Sequence, residues 1–191
     1  MPMLAFISKR TPSVPQTSST RISQSSDDVQ VRYPESTLDT TWLVLGRRSL
    51  WDERSHLVTC FRSTGIPQGS VINSAKVYFT KRLYGGSGND DVRIRVVDSG
   101  TPTMITSYGD YTSLSYVSNY SDWIYIGSVS TWTPDFSSAV QQAVDKPDFN
   151  GDIMVAFQSI GAFGASNQYL IPWDYNDSPG SALLLEVEYV G

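Results

Sequence analysis

The stretch SAKVYFTKR, residues 74–82, decides the fold. Ala75, Val77 and Phe79 share one parity, and Lys76, Tyr78 and Thr80 share the other. Side chains alternate faces along a β-strand, so such a stretch carries one apolar face and one polar face. The same device recurs in DVRIRVVD, residues 91–98, where Val92, Ile94 and Val96 face one way and Arg93 and Arg95 the other. It appears again at Ile153, Val155 and Phe157, and in the last stretch at Leu183, Leu185, Val187 and Tyr189, with Glu186 and Glu188 outward. Val29 and Val31 alternate with polar residues, WLVLG (42–46) is a compact apolar run, and residues 56–61 form another. Turn-forming clusters such as GIPQGS (65–70) and YGGSGNDD (84–91) separate the runs. This is the pattern of an all-β, antiparallel β-sandwich in which one face of each strand packs on a core and the other meets solvent or a partner.

One segment departs from it. TPDFSSAVQQAVDKPDF, residues 133–149, places Phe136, Ala139, Val140, Ala143 and Val144 on one helical stripe. Thr133 suits an N-cap, Pro134 the first helical position and Asp135 the positive end of the dipole, and Pro147 stops the run. The expectation is one short α-helix, about 134–145, at an end or flank of the sandwich.

The chain has 191 residues, of which 40% are hydrophobic, 17% charged and 12% aromatic. That supports a packed core and excludes a chain too polar to fold. Net charge is −5, unevenly spread. Residues 1–26 hold Lys9, Arg10 and Arg21 and no acid, so this +3 leaves −8 on the rest. An acidic body does not suit nucleic acid as a partner. The same 26 residues are rich in Ser, Thr and Pro, with Pro12 and Pro15 disfavouring helix. They read as an extended N-terminal arm ahead of a sandwich domain at 27–191, a composition that also fits a disordered tail. No signal peptide is legible, because the basic residues follow the short apolar run MLAFI, and no segment has the ~20 apolar residues that span a bilayer. Membrane is therefore not an expected partner. The single cysteine, Cys60, lies in an apolar run and reads as a buried thiol.

With these pieces in view, CFRSTGIPQGSVINSAKVYF (60–79) resembles the signature of the DNRLRE-type β-sandwich: a Phe-Arg strand, an Ile-Pro-x-Gly turn and a Ser-Ala strand. Residues 132–144 are similar to that family's helix, 150–157 to its following apolar strand, and 179–189 to its closing strand. The resemblance spans roughly residues 27–191 and implies a jelly-roll-like sandwich. Such domains occur as carbohydrate-binding modules, in bacterial surface proteins and as accessory proteins of phage virions. A lone domain with an arm and no signal peptide points within that set to a virion component, made in the host cytoplasm, such as a capsid decoration, head fibre or tail protein. Its expected partners are capsid or tail subunits and further copies of itself in a homo-oligomer. The alternative is a carbohydrate-binding module or adhesin for a host-surface glycan.

No catalytic set is legible. The only histidine, His56, precedes Cys60 by four residues, roughly 13 Å along a strand, too far to activate it. No nucleophile elbow is present, and Asp27, Asp28, Asp110, Asp122, Asp174 and Asp177 read as turn acids, not as a glycosidase pair. WDYND (173–177) and GNDD (88–91) carry oxygen ligands without the spacing of a known calcium loop and read as Asx-rich turns, so no metal or cofactor is assigned. The arm residues Lys9, Arg10, Pro12, Pro15 and Arg21 are the expected attachment segment. Residues 108–125, YGDYTSLSYVSNYSDWIY, have the Tyr, Ser and Asn composition of contact loops. Tyr108, Tyr111, Tyr116, Tyr120 and Trp123 are accordingly the candidate recognition surface, or else rings that cover a sheet edge. Trp173 and Tyr175, near Phe163 and Tyr169, form a second aromatic patch or cap the core.

Overall fold

The structure is a computed structural model that describes residues 14–41, 43–48, 53–86, 89–126, 130–161 and 168–191, with the backbone alone at 47–48, 53, 83–86, 89–90, 125–126 and 168. Two antiparallel sheets face each other. The smaller runs β1 (Gln16–Arg21), β13 (Leu184–Val190), β6 (Val71–Phe79), β10 (Thr131–Trp132). The larger runs β7 (Lys81–Gly86), β12 (Gln168–Pro172), β4 (Leu45–Arg48), β5 (Glu53–Phe61), β11 (Ile153–Ser159), β8 (Asn89–Val97), β9 (Tyr116–Ile126). Strand β2 (Asp28–Tyr33) also pairs with β5, and β3 (Thr37–Asp39) pairs with β2. The all-β sandwich expected from period-two alternation is what forms.

The main core lies between the sheets. Ala75, Val77 and Phe79 of β6 and Leu185 and Val187 of β13 meet Val92, Ile94 and Val96 of β8 and Ile153, Val155 and Phe157 of β11. Phe79 packs edge-on to Phe157 at 5.0 Å between centroids and at a tilt to Trp123 at 5.3 Å. Such ring pairs add about 0.5–1.5 kcal/mol beyond the area they bury.

A second core lies on the outer face of the larger sheet. Val58 and Cys60 of β5, Met154 and Ala156 of β11, and Val29 and Val31 of β2 point outward there. They are covered by Val97 and Ile105, with half-buried Tyr108, Tyr111, Leu114 and Tyr116 packed against them. The covering segment includes the helix α1 (Tyr108–Ser113), closed at its start by a capping box between Ser107 and Asp110. Strand β11 is therefore buried on both faces, where alternation alone predicts one wetted face.

The helix α2 (Ser137–Val144) buries Ala139, Val140, Ala143 and Val144 as its stripe predicts, but it starts three residues later than expected. Residues 133–136 extend along β6 instead. The Thr133 and Phe136 amides donate to the carbonyls of Val77 and Ala75 at 2.9 and 3.0 Å. Thr133 Oγ1 and Asp135 Oδ1 accept from the Val77 and Ala75 amides in return, each at 3.0 Å. These bonds satisfy an edge that a longer helix would leave open, so Thr133 is a sheet clamp and not an N-cap. Asp135 Oδ1 also accepts from the Ser137 amide at 2.8 Å and closes the first turn from outside it.

Part of the segment read as an arm belongs to the sandwich. Residues 1–13, with Lys9, Arg10 and Pro12, lie outside the described residues. Residues 16–21 pair with β13 over six positions, Arg21 Nη1 donates to the Ala182 carbonyl at 2.6 Å, and Ile22 enters the main core.

Phe157→Ala is expected to cost about 3–5 kcal/mol of unfolding free energy, because a fully buried ring would leave a cavity between tightly paired strands. Urea denaturation followed by tryptophan fluorescence measures it.

Candidate recognition surface

Residues 108–125 are not a loop. They comprise α1 and most of β9, the terminal strand of the larger sheet. Along β9 the parity divides the aromatic residues. Val117 and Trp123 point into the core, with Trp123 only 7% exposed. Tyr116, Ser118, Tyr120, Asp122 and Ile124 take the outer parity, and Tyr120 is 46% exposed. Trp123 is thus a core residue that supports the surface from beneath. Its parity match with Val117 is the signal that identifies it in the sequence.

The outer face of β8 and β9 is held by two arginines. Arg93 lies opposite Asp122 in register and grips it with both ends of its fork, at 2.8 and 3.0 Å. Its guanidinium also sits 4.0 Å from the centre of the Tyr120 ring. Arg95, opposite Tyr120 in register, lies 4.9 Å from the Tyr116 ring. Cation–π contacts at such exposed sites contribute about 0.5–1 kcal/mol each and fix ring orientation. Gln158 of β11 donates to the hydroxyls of Tyr111 and Tyr116 at 3.2 and 3.4 Å, and Tyr111 stacks on His56 at 5.8 Å. Burial raises the phenol pKa of both tyrosines, so they remain neutral donors and acceptors. Tyr108 lies 6.1 Å from Tyr111. Beside this row runs a groove of about 510 Å³ lined by Asp98, Tyr116, Ser118, Gln142 and Asp145. Arg93, Arg95 and Gln158 were not singled out in the sequence, although the outward parity of the two arginines is legible there.

The other aromatic patch is divided in the same way. Trp173 is half-buried beneath the Arg82 guanidinium at 5.0 Å, and Tyr175 packs against the main core. Phe163 lies outside the described residues. Of the arm residues, Pro15 is exposed and Arg21 is bound to the sheet as described above.

The groups weighed for chemistry are placed as follows. His56 Nδ1 accepts from the Ser159 amide at 3.0 Å, and burial, with the Arg54 charge, lowers its pKa to about 4. Cys60 is buried in the outer core and its thiol is pushed up to about 12 by burial. Among the described residues no three His, Cys, Asp or Glu side chains converge on a metal-sized site. Asp28 and Asp122 lie in strands, and Asp110 caps α1, so these three are not turn acids.

Asp28 has a strongly perturbed carboxyl. It is buried on the inner face, and burial first, then the charges of Asp174 and Asp27, raise its pKa from the ordinary 3.8 to about 7, against the lowering effect of the Tyr175 amide. A folded-state pKa above the unfolded one means that the native chain holds this proton more tightly. The stability it contributes is complete below about pH 3.8 and is lost as pH rises through 7. His56 has the opposite sign: its contribution is present above its ordinary 6.5 and is lost as pH falls through 4. Asp28→Asn removes only the first dependence. In buffer with a chelator the variant is expected to gain stability over the wild type as pH rises from 5 to 8; equal pH profiles in urea titrations would contradict this assignment.

Compared with known proteins, the chain is matched by no protein-family model and by no curated protein.

Proposed function

We propose that this protein is a structural interaction protein of a phage particle, non-catalytic, that attaches through its N-terminal segment and assembles as a homo-oligomer. One observation carries the reading: β1 is a terminal strand of its sheet, firmly anchored, with its approach exposed. Tyr189 donates its hydroxyl to Gln16 Oε1 at 3.0 Å, Ser18 Oγ donates to the Thr64 carbonyl, and Arg21 holds the other end. Val14, just before it, is 75% exposed. A segment that leaves a rigid edge strand is delivered to a partner at a defined place, and the unpaired side of an edge strand is itself a template for a partner's backbone. The sequence resemblance supports the setting, and the high pKa of Cys60 and the low pKa of His56 support the absence of thiol or imidazole catalysis.

A second reading, recognition of a host-surface glycan, is favoured by the groove beside Tyr116. It places a half-buried ring next to Asp98, Gln142 and Asp145, the combination that stacks on a sugar face and bonds its hydroxyls.

Removal of residues 1–13 is expected to leave the melting temperature unchanged while abolishing attachment to the particle. Removal of 1–26 deletes β1 and Ile22 as well, and lowers the melting temperature. Co-sedimentation with particles and differential scanning calorimetry measure the two effects, and undiminished attachment of the shorter deletion would overturn the latch.

For the glycan reading, Tyr120→Ala is expected to weaken binding about tenfold with little change in melting temperature. Tyr116→Ala is expected to lower both, because Tyr116 also packs on the outer core. Glycan-array binding and thermal unfolding separate the two, and unchanged glycan binding by both variants would remove this reading.

A further inference from the structure

Asp28 Oδ1, Thr59 Oγ1 and Asp174 Oδ2 are buried oxygen atoms with no hydrogen-bond partner. Their residues are 1%, 0% and 1% exposed. Asp28 and Thr59 lie directly opposite each other in the β2–β5 register, so their side chains share one face with Cβ atoms about 4.5–5.5 Å apart. Their strand neighbours place that face. Val29 and Val58 point to the outer core, so Asp28 and Thr59 point inward. Asp174 arrives from the turn after β12. The Tyr175 amide, one residue on, donates to Asp28 Oδ2 at 3.2 Å and ties the turn to the strand. Asp174 Oδ1 accepts from the Asp177 amide at 2.8 Å, which leaves its Oδ2 for the interior.

Buried polar atoms in folded proteins nearly always have a partner, and a buried ionised carboxylate without one costs several kcal/mol. Neighbouring Asp27 meets half of this need with a base: its Oδ1 accepts from Arg62 Nε at 3.0 Å, while its Oδ2 is also buried without a hydrogen-bond partner. Among the described residues no cationic side chain bonds Asp28. The nearby basic group is Arg82, which pairs with Asp177 in the same turn. Two carboxylates and a hydroxyl, all oxygen, with no sulfur or imidazole on this face, are the donor set of a hard cation. Cys60 lies on the opposite face of β5. Calcium accepts six to eight oxygens in irregular geometry, including backbone carbonyls and water, whereas magnesium demands a near-ideal octahedron.

We propose that Asp28, Thr59 and Asp174 bind one calcium ion that clamps the 173–177 turn to β2 and β5. The ion neutralises both carboxylates and gives each of the three orphaned oxygens a partner. It also accounts for two buried acids that make no ion pair among the described residues. The charges facing Asp28 are those of Asp174 and Asp27, and those facing Asp174 are Arg82 and Asp39.

The full chain, treated with EDTA and returned to calcium, tests this. Calcium about a hundredfold above its Kd is expected to raise the melting temperature by about 5–10 °C. Asp28→Asn and Asp174→Asn, close in shape and neutral, should each abolish that rise, and Thr59→Val should reduce it. Independently of stability, terbium bound at the site should luminesce when the protein's tyrosines and tryptophans are excited, given the neighbouring Trp173 and Tyr175, and calcium should displace it at a stoichiometry of one. Equal melting temperatures in calcium and EDTA, together with no sensitised terbium emission, would overturn the proposal. So would a calcium-dependent rise that persists in both asparagine variants, since the ion would then bind elsewhere.

Discussion

Strand β11 has almost no solvent face, and the rest of the molecule is arranged around that constraint. Ile153, Val155 and Phe157 fill the interior of the sandwich, while Met154 and Ala156 need cover on the other side. A sheet whose central strands are apolar on both faces must be covered twice. Strands β6 and β13 with α2 supply one cover, and the segment between β8 and β9 supplies the other. The second cover ends where Tyr108, Tyr111, Leu114 and Tyr116 rest on the outer core. Beyond that line, along β8 and β9, the larger sheet presents a polar and aromatic face. The location of the recognition surface is thus a consequence of how far the outer cover reaches.

On that face, rigidity comes from pairing and not from burial. Arg93 binds Asp122 and lies on Tyr120, and Arg95 lies on Tyr116. Each contact is small, in the range of exposed ion pairs at about 0.2–1 kcal/mol. Their common effect is to hold rings and guanidinium groups in one orientation before a partner arrives, which reduces the ordering cost of binding. The polar residues inside follow different energetics. Gln30 is buried yet satisfied, since it donates to Ser55 Oγ at 2.8 Å and accepts from the Val44 amide at 3.1 Å. Asp27 shares Arg62 with Asp152. Against the completed network of Gln30, Asp28 Oδ1, Thr59 Oγ1 and Asp174 Oδ2 are buried without a hydrogen-bond partner, as is Asp27 Oδ2.

Alternation was enough to read the strands, because period-two patterning is a local consequence of strand geometry and survives in any tertiary setting. The stripe at Phe136, Ala139, Val140, Ala143 and Val144 identified the helix for the same kind of reason, and the apolar run around Cys60 identified a buried thiol. The candidate surface was only half legible. Composition drew attention to residues 108–125, but composition ignores parity, so Trp123 was grouped with the surface although it packs on Phe79.

Local pattern thus determined which residues form strands, which form the helix, and that two sheets enclose a core. What covers each face depended on contacts between residues far apart in the chain. Pairing with β6 drew residues 133–136 out of the helix, and pairing with β13 made residues 16–21 a strand, although no alternation marks them. Asp28, Thr59 and Asp174 are 31 to 146 positions apart, and nothing in their local sequence distinguishes them from ordinary polar strand and turn residues. Only the cross-strand register and the return of the 173–177 turn bring them together, because burial and electrostatics depend on distance in space and not along the chain.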